Sequence, residues 1–465
     1  MTVPARRGAS DVHEATCKAY LDRFATMRAE LPGAGLPWLD AWRARAIERF
    51  AEHGFPGPRL EEWRFTNLSK LAETVFEPFP SAANGISRED LGGYRLEDGS
   101  DHLLVFVNGR LRPDLSSPGA PGDGITVTGL SRALEDDAEA VEESLIGAGD
   151  LTGEERAGAE RAGEERSASL GQLNAAFMVD GAVIRVAANA QPERPVHLIF
   201  LAHPNKEPAG MHLRNIIHAG EGAKLTVIES YAGLADGPYW TNAVTHVTAE
   251  KGAAIQHFKF QAEGAGAFHI AVTDVDLHQD ASYTNFVMSL GGILARNEIR
   301  ARYTGEGVHC ALKGVSLARG RQHVDTTTSV DHLMASGVTD ETYKGIVDDR
   351  AHSVFRGKIR VAPGAQKTNA YQLNQNLLLS DRAQADSKPE LEIFADDVKC
   401  GHGSTVGDID AEALFYLRAR GLEERDARML LIEAFLGQLI DDIEIAPVRA
   451  MARKAFTGWL AGLGG

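Results

Sequence analysis

The chain has 465 residues, a formal net charge of −17 and 43% hydrophobic residues, enough apolar material for about three domains or one long repetitive one. The acidic balance without any basic block argues against a nucleic-acid partner, and no apolar run reaches the roughly 18–20 residues of a membrane span. Three scattered cysteines, Cys17, Cys310 and Cys400, exclude a disulfide framework and an all-cysteine metal site within one chain; with no apolar stretch in MTVPARRGASDVHEATC, the expectation is a soluble cytoplasmic protein.

Residues 1–100 read as a helical region. Ser10 is placed to cap a first helix, with Asp11 and Glu14 in its opening turn and Tyr20, Phe24, Met27 and Leu31 in one apolar stripe. Pro32-Gly33 ends it. Pro37 opens a second helix with Leu39, Trp42, Ala46 and Phe50 on one face and Gly54 as its stop. Residues 101–180 form a mixed segment. Leu103–Val107 is a strand, and Asn108-Gly109 after it is a strong hairpin signal. From Leu134 to Arg166 the chain turns rich in Glu, Ala and Gly, which predicts exposed helix and a mobile linker.

Between residues 181 and 406 strand-like runs follow one another with almost no helical periodicity. AVIRVAA from Ala182, KLTVIES from Lys224, AIQHFKF from Ala254 and SYTNFVM from Ser282 are examples. Small turns recur at Gly222, Gly252, Asp280 and Gly307, in steps of 30, 28 and 27 residues with two strands per step. DRA at Asp349 and DDV at Asp396 continue the pattern less regularly. Alternation alone does not separate stacked parallel coils from an antiparallel sandwich. The even spacing, the repeated turn and the length favour coils, with Ile184, Val227, Ile255 and Val287 in their interior.

Residues 407–465 return to helix. Asp410 caps one that stops at Gly421. A second carries Leu431, Phe435 and Leu436 or Leu439 in line, and Pro447 opens a third with Met451, Phe456, Trp459 and Leu460. Their simplest role is to cap the last coil. Phe415, Tyr416, Arg418 and Arg420 form an aromatic and arginine cluster of the kind found at interface hot spots; the alternative is that the two aromatics pack onto the last coil.

The sequence carries no P-loop, no G-x-G-x-x-G after a strand, no G-x-S-x-G and no H-E-x-x-H. Two constellations stand out. QHVDTTTSVDH carries His323, Asp325, Asp331 and His332, and imidazoles and carboxylates in alternate positions could share one strand face and hold a metal, or form a polar ladder inside or along a coil. In DDVKCGHGSTVG, Cys400 and His402 lie two apart and so share a face in an extended strand, where thiolate and imidazole suit a soft or borderline metal. Lys399 is a candidate for lowering the thiol pKa. Two ligands leave such a site incomplete, so a second protein has to supply the rest. A reading from another class is a β-helix enzyme acting on polysaccharide, with Asp325, Asp331, Asp348 and Asp349 as clustered carboxylates.

NAYQLNQNLLLSDRAQADSKPELEIFADDVKCGHGSTVGDIDAEALFYLRARGL from Asn369 resembles the signature region of the SufB/SufD family. LGQLNAAFMVDGAVIRV from Leu170, RQHVDTTTSVDH from Arg321 and PGPRLEEWRFTNL from Pro56 also resemble family segments. The KCGHGST form, with Gly403 after His402, resembles the SufD branch. The resemblance implies a right-handed parallel β-helix with helical N- and C-terminal regions, and a non-catalytic scaffold in assembly of iron–sulfur clusters. It implies a heterodimer with a SufB-like paralogue and a SufC-like ATPase gripping the C-terminal helices, with a homodimer for the isolated chain. It also implies a transient cluster to which His402, and less surely Cys400, contributes. No cofactor is expected to be tightly bound to the isolated chain; a flavin is associated with the family's complex, but no residue here locates it.

Overall fold

The computed structural model describes residues 5–79, 85–119, 122–147, 167–204 and 206–463. The N-terminal part contains helices α1 (Ala5–Met27) and α2 (Pro37–His53), then strands β1 (Glu77–Pro78), β2 (His102–Val107), β3 (Arg110–Leu111) and β4 (Ile125–Gly129). Helices α3 (Leu130–Asp136), α4 (Ala138–Gly147) and α5 (Ser169–Phe177) follow. The first helix begins before Ser10, because Ala5-Arg-Arg is itself good helix-forming sequence. Asn108 and Gly109 take positive φ of 53° and 79°, and the strands they join pair antiparallel through Val107 and Arg110. The Glu-rich stretch departs from expectation in its first half. Leu134 on α3 and Val141 and Leu145 on α4 are buried against the N-terminal helices, so this part is packed helix. Its remainder, 148–166, lies outside the described residues.

Sixteen strands then build the body. They are β5 (Ala182–Val186), β6 (Val196–Ala202), β7 (Ala209–Ala219), β8 (Lys224–Gly233), β9 (Tyr239–Ala249), β10 (Ala254–Ala262), β11 (Ala267–Leu277) and β12 (Ser282–Ser289). The series continues with β13 (Leu294–Tyr303), β14 (His309–Ala318), β15 (His323–His332), β16 (Val338–Val347), β17 (His352–Val361), β18 (Asn369–Leu378), β19 (Gln384–Ile393) and β20 (Lys399–Asp408). Odd-numbered strands form one sheet and even-numbered strands the other, and every neighbour pair among these sixteen is parallel. The antiparallel sandwich is thereby excluded: the chain is a parallel β-solenoid of eight coils. β6 escaped the sequence pattern because VHLIFLA is buried on both faces and does not alternate.

The steps read from the turns are the register shifts themselves. Lys224 pairs with Ala254, Ala254 with Ser282, and Ser282 with His309. The turn works because one residue per coil takes positive φ and donates its N–H to the next coil. Asn189, Gly222, Gly252, Asp280, Gly307, Ser336 and Lys367 donate in turn to carbonyls of Glu221, Lys251, Gln279, Glu306, Ala335, Gln366 and Asp397. Glycine adopts that conformation freely; Ser336 and Lys367 do so at a cost of about 1–2 kcal/mol. Asp349 does not belong to this file: with Gly320, it marks the opposite corner, between even and odd strands.

Ile184, Val227, Ile255 and Val287 are all buried in the interior core, although they occupy different register positions rather than one file. The N-terminal helices bury Trp42, Phe50 and Phe177 against Ile216, Trp240 and Phe268 on the outer face of the odd sheet. Asp410 caps α6 (Ala411–Ala419), its carboxylate accepting from the N–H of Glu412 and Ala413. Then α7 (Glu424–Asp441) and α8 (Ala446–Ala461) lay Ile432, Leu436, Phe456 and Trp459 on Phe258, Phe286, Val315 and Ile346 of the even sheet. Leu431 and Phe435 are only half-buried, because the inward stripe runs one residue further on. These helices flank the solenoid and do not cap its end; β19 and β20 have no outer neighbour among the described residues.

Candidate functional site

The open end carries the cysteine and the histidine. In β18, Ala370, Gln372 and Asn374 are buried and point inward, while Tyr371 between them is 48% exposed. In-register parallel neighbours point the same way. Cys400, His402 and Ser404 pair with those three inward residues, so all three face the axis of the solenoid. They remain half-buried or exposed because, among the described residues, no further coil covers them. Burial pushes the Cys400 thiol up, and Lys399, adjacent in the strand, is directed to the opposite face. The expected help from Lys399 is therefore absent, and Cys400 is a neutral thiol. Among the described residues no group of three or more His, Cys, Asp or Glu side chains stands ready to hold a metal. Cys400 and His402 are thus at most half of a site.

Beneath them lies a polar interior that sequence reading did not single out. One coil under His402 is Gln372, and one coil under Gln372 is Glu341, both fully buried. Burial pushes the Glu341 carboxyl up to about 8; Thr328 Oγ1 donates to its Oε2 at 3.0 Å. Deeper still, His257 Nε2 is 3.3 Å from Glu229 Oε1, and His269 Nδ1 is 2.7 Å from Glu263 Oε2. Burial would raise the Glu229 carboxyl, but His257, Lys259 and Tyr231 outweigh it and hold it near 2. Burial brings Lys259 down to about 8 against the pull of Glu229 and Glu263. The spacing held only part of the signal: His402 lies 30 residues after Gln372, as in the first turn step, but Gln372 lies 31 after Glu341, a step the earlier turns did not show.

QHVDTTTSVDH does not form one cluster. His323 and Asp325 point outward from the odd sheet, whereas His332 points inward, where its Nε2 is 2.8 Å from Thr339 Oγ1. Burial lowers both His323 and His332 to about 4, which keeps them neutral. Asp325 is engaged by Arg296 Nη1 at 2.5 Å, by Thr327 at 3.0 Å and by the hydroxyl of Thr66. His323 Nε2 also meets Thr66, at 2.8 Å. The indole of Trp63 covers the Arg296 guanidinium at 4.1 Å, Glu62 pairs with Arg356, and Glu61 with Lys388. PGPRLEEWRFTNL is therefore a strap across the odd sheet, and the histidine–aspartate motif is its mooring. Asp349 accepts from the Gly320 N–H at a corner, on another part of the molecule, so the four aspartates of the polysaccharide reading are not presented as one group.

At the C-terminal region Phe415 is 73% and Tyr416 56% exposed. They do not pack on the last coil. Arg420 lies over the Tyr416 ring at 4.4 Å, and Arg418 pairs with Glu424 at 3.2 Å, which fixes α6 against the start of α7.

Comparison with known proteins bears on this arrangement. Residues 201–435 match the family model "SUF system FeS cluster assembly, SufBD core domain", and residues 14–198 match the SufBD N-terminal region. The chain belongs to the SufBD family. It is 32% identical to an iron–sulfur cluster assembly SufBD family protein of Synechocystis, over 89% of each chain. It is 31% identical to SufD of Escherichia coli over 85% of this chain and 87% of that one. With SufD of Bacillus subtilis it shares 26% identity over 89% and 92%. As a SufBD family member, the protein is a component of iron–sulfur cluster assembly, and the polysaccharide-enzyme reading falls away. Among the described residues no helix is long and apolar enough to cross a membrane.

Proposed function

We propose that this chain is a SufD-type scaffold: a subunit without turnover of its own that pairs with a SufB-like paralogue and carries a SufC-like ATPase. The observation that carries the reading is the placement of Cys400 and His402 at the uncovered end of the solenoid, facing the axis and short of ligands. A partner solenoid docked end-on would complete both the strand pairing and the ligand set. Iron in such clusters wants four ligands, so a cluster shared across the junction leaves as the junction opens. The exposed aromatic and arginine face of α6, beside Phe415, Tyr416, Arg418 and Arg420, suits the ATPase, whose nucleotide-driven movement would bias the opening. In this reading the cluster is cargo, His402 is its principal ligand from this chain, and Cys400 is secondary. Without the paralogue, the same end accepts a second copy of the chain.

The test is co-expression with paralogue and ATPase, followed by anaerobic reconstitution and iron and sulfide analysis of the purified complex. His402→Ala is expected to assemble normally, because the imidazole is exposed, and to lose most of its iron and sulfide. Cys400→Ser loses less. Normal iron and sulfide in the His402→Ala complex would place the cluster elsewhere.

A further inference from the structure

The reading of His402 as a ligand leaves open what holds its ring in position. We propose that Gln372 is the positioning residue, fixing the imidazole from inside the solenoid and itself fixed by Glu341. The proposal rests on that ligand reading and goes one step further in.

Three observations carry it. Glu341, Gln372 and His402 occupy one register position on β16, β18 and β20, so their side chains follow one another inside the solenoid at about 4.8 Å per coil. Glu341 Oε1, Gln372 Oε1 and Gln372 Nε2 are all buried without a well-formed hydrogen bond among the described residues, although both side chains are fully buried. The Gln372 amide has Gly357 of β17 opposite it, where a Cβ would come within 2.7 Å of Nε2; a glycine there leaves the amide its place. Orphaned buried polar groups are rare and costly, and three on adjacent coils below one histidine match a chain waiting for its last member.

The chemistry of the three groups closes that chain in one direction. A metal-bound imidazole donates its remaining ring N–H to an oxygen, which sets tautomer and orientation. Gln372 Oε1 is the in-register oxygen below His402. Gln372 Nε2–H then donates to Glu341 Oε1, while Glu341 Oε2 stays with Thr328 Oγ1. The Glu341 carboxyl sits close enough for the amide to weigh on its proton affinity, and burial keeps it neutral at pH 7. Asp340 faces away on the same strand, and the neighbours Tyr343, Tyr303 and Cys310 are neutral, with burial raising all three. No net charge is therefore placed under the ligand.

The test uses the co-expressed complex with ferrous ion and sulfide as the probe. It compares iron retention and thermal midpoint for Gln372→Leu, Gln372→Met, Gln372→Glu and His402→Ala. Leucine and methionine keep the volume and remove the orphaned amide, so the midpoint is expected to hold or rise while iron affinity drops about tenfold to a hundredfold. Glutamate keeps an acceptor and retains most of the affinity. A merely structural glutamine would show the reverse, a lowered midpoint with unchanged iron. Unchanged affinity in the leucine and methionine variants, with loss in His402→Ala, overturns the positioning role and leaves the ligand reading standing; retention in His402→Ala overturns both. A readout free of assembly is the ring-nitrogen spectrum of the histidine-labelled full chain. A single His402 tautomer that becomes mixed in Gln372→Leu or Gln372→Met but not in Gln372→Glu supports the proposal, and a mixture already present in the unsubstituted chain counts against it.

Discussion

At one end of the solenoid β5 and β6 are sealed. β4 pairs antiparallel with β5, β2 pairs with β6, and both strands are almost wholly buried. At the other end β19 and β20 run for ten residues each with no outer neighbour among the described residues and are half-buried to exposed. The interiors differ in step. Near the closed end Phe106, Phe200 and Tyr231 stack coil on coil at 4.9 and 4.7 Å. Near the open end that register position holds Ser316, Gly345 and Asn376, and the interior beside it holds Glu341, Gln372, Asn374 and the Ser387 hydroxyl. The closed end stacks three rings on successive coils; towards the uncovered end Tyr343 and Phe355 share the interior with polar side chains, several of whose buried atoms have no hydrogen bond among the described residues.

The largest effect is expected at the closed end. Phe200→Ala removes the middle ring of the stack and should cost about 3–5 kcal/mol, read from denaturant unfolding; a loss below about 1 kcal/mol would mean that this end is not the anchor of the fold. Glu341→Gln acts in the other direction. The folded carboxyl titrates near 8 and the unfolded one near the ordinary 4.5. Between those values the folded state binds the extra proton, so stability falls as pH rises. Glutamine removes that dependence and should stabilise the chain at pH 8 by on the order of 2–4 kcal/mol, with little effect at pH 4.5. A parallel pH profile for both proteins would refute the buried-acid assignment. Thr66→Val, at the mooring of the strap, deprives Asp325 of a donor and should cost about 1–3 kcal/mol. It should also raise hydrogen exchange in residues 56–67 before the coils respond. The smallest effect is at the open end itself: Phe394, 58% exposed, changed to Ser should move stability by less than about 0.5 kcal/mol while weakening the end-on pairing proposed above.

Much of this was legible in the sequence, because a solenoid writes its geometry as spacing. Gly222, Gly252, Asp280 and Gly307 gave the register to the residue. The later corners were less plain, since Ser336 and Lys367 hold the same conformation without being turn-forming types. The parity of Cys400 and His402 was also readable. Two things were not. That α7 and α8 flank the even sheet instead of capping the end depends on an outer face carrying Phe258, Phe286 and Ile346, and alternation does not say which face meets helices. That His323 and Asp325 moor Thr66 depends on a contact across more than 250 residues of sequence, which no local pattern records.

The free edge also has a handedness of risk. A bare strand edge pairs with whatever strand it meets, and proteins blunt such edges with proline and charge. Here the two exposed strands are treated unequally. β19 carries Lys388, Pro389, Glu390 and Glu392, and Pro389 offers no N–H at all. β20, with Gly401, Gly403, Ser404 and Thr405 around His402, has no proline or carboxylate along its middle. Unspecific strand addition is thereby discouraged on one half of the opening and left unopposed on the other. With the partner proposed above, a cell making this chain in excess would face misassembly through β20 first, and balanced synthesis of the two would be a matter of proteostasis as well.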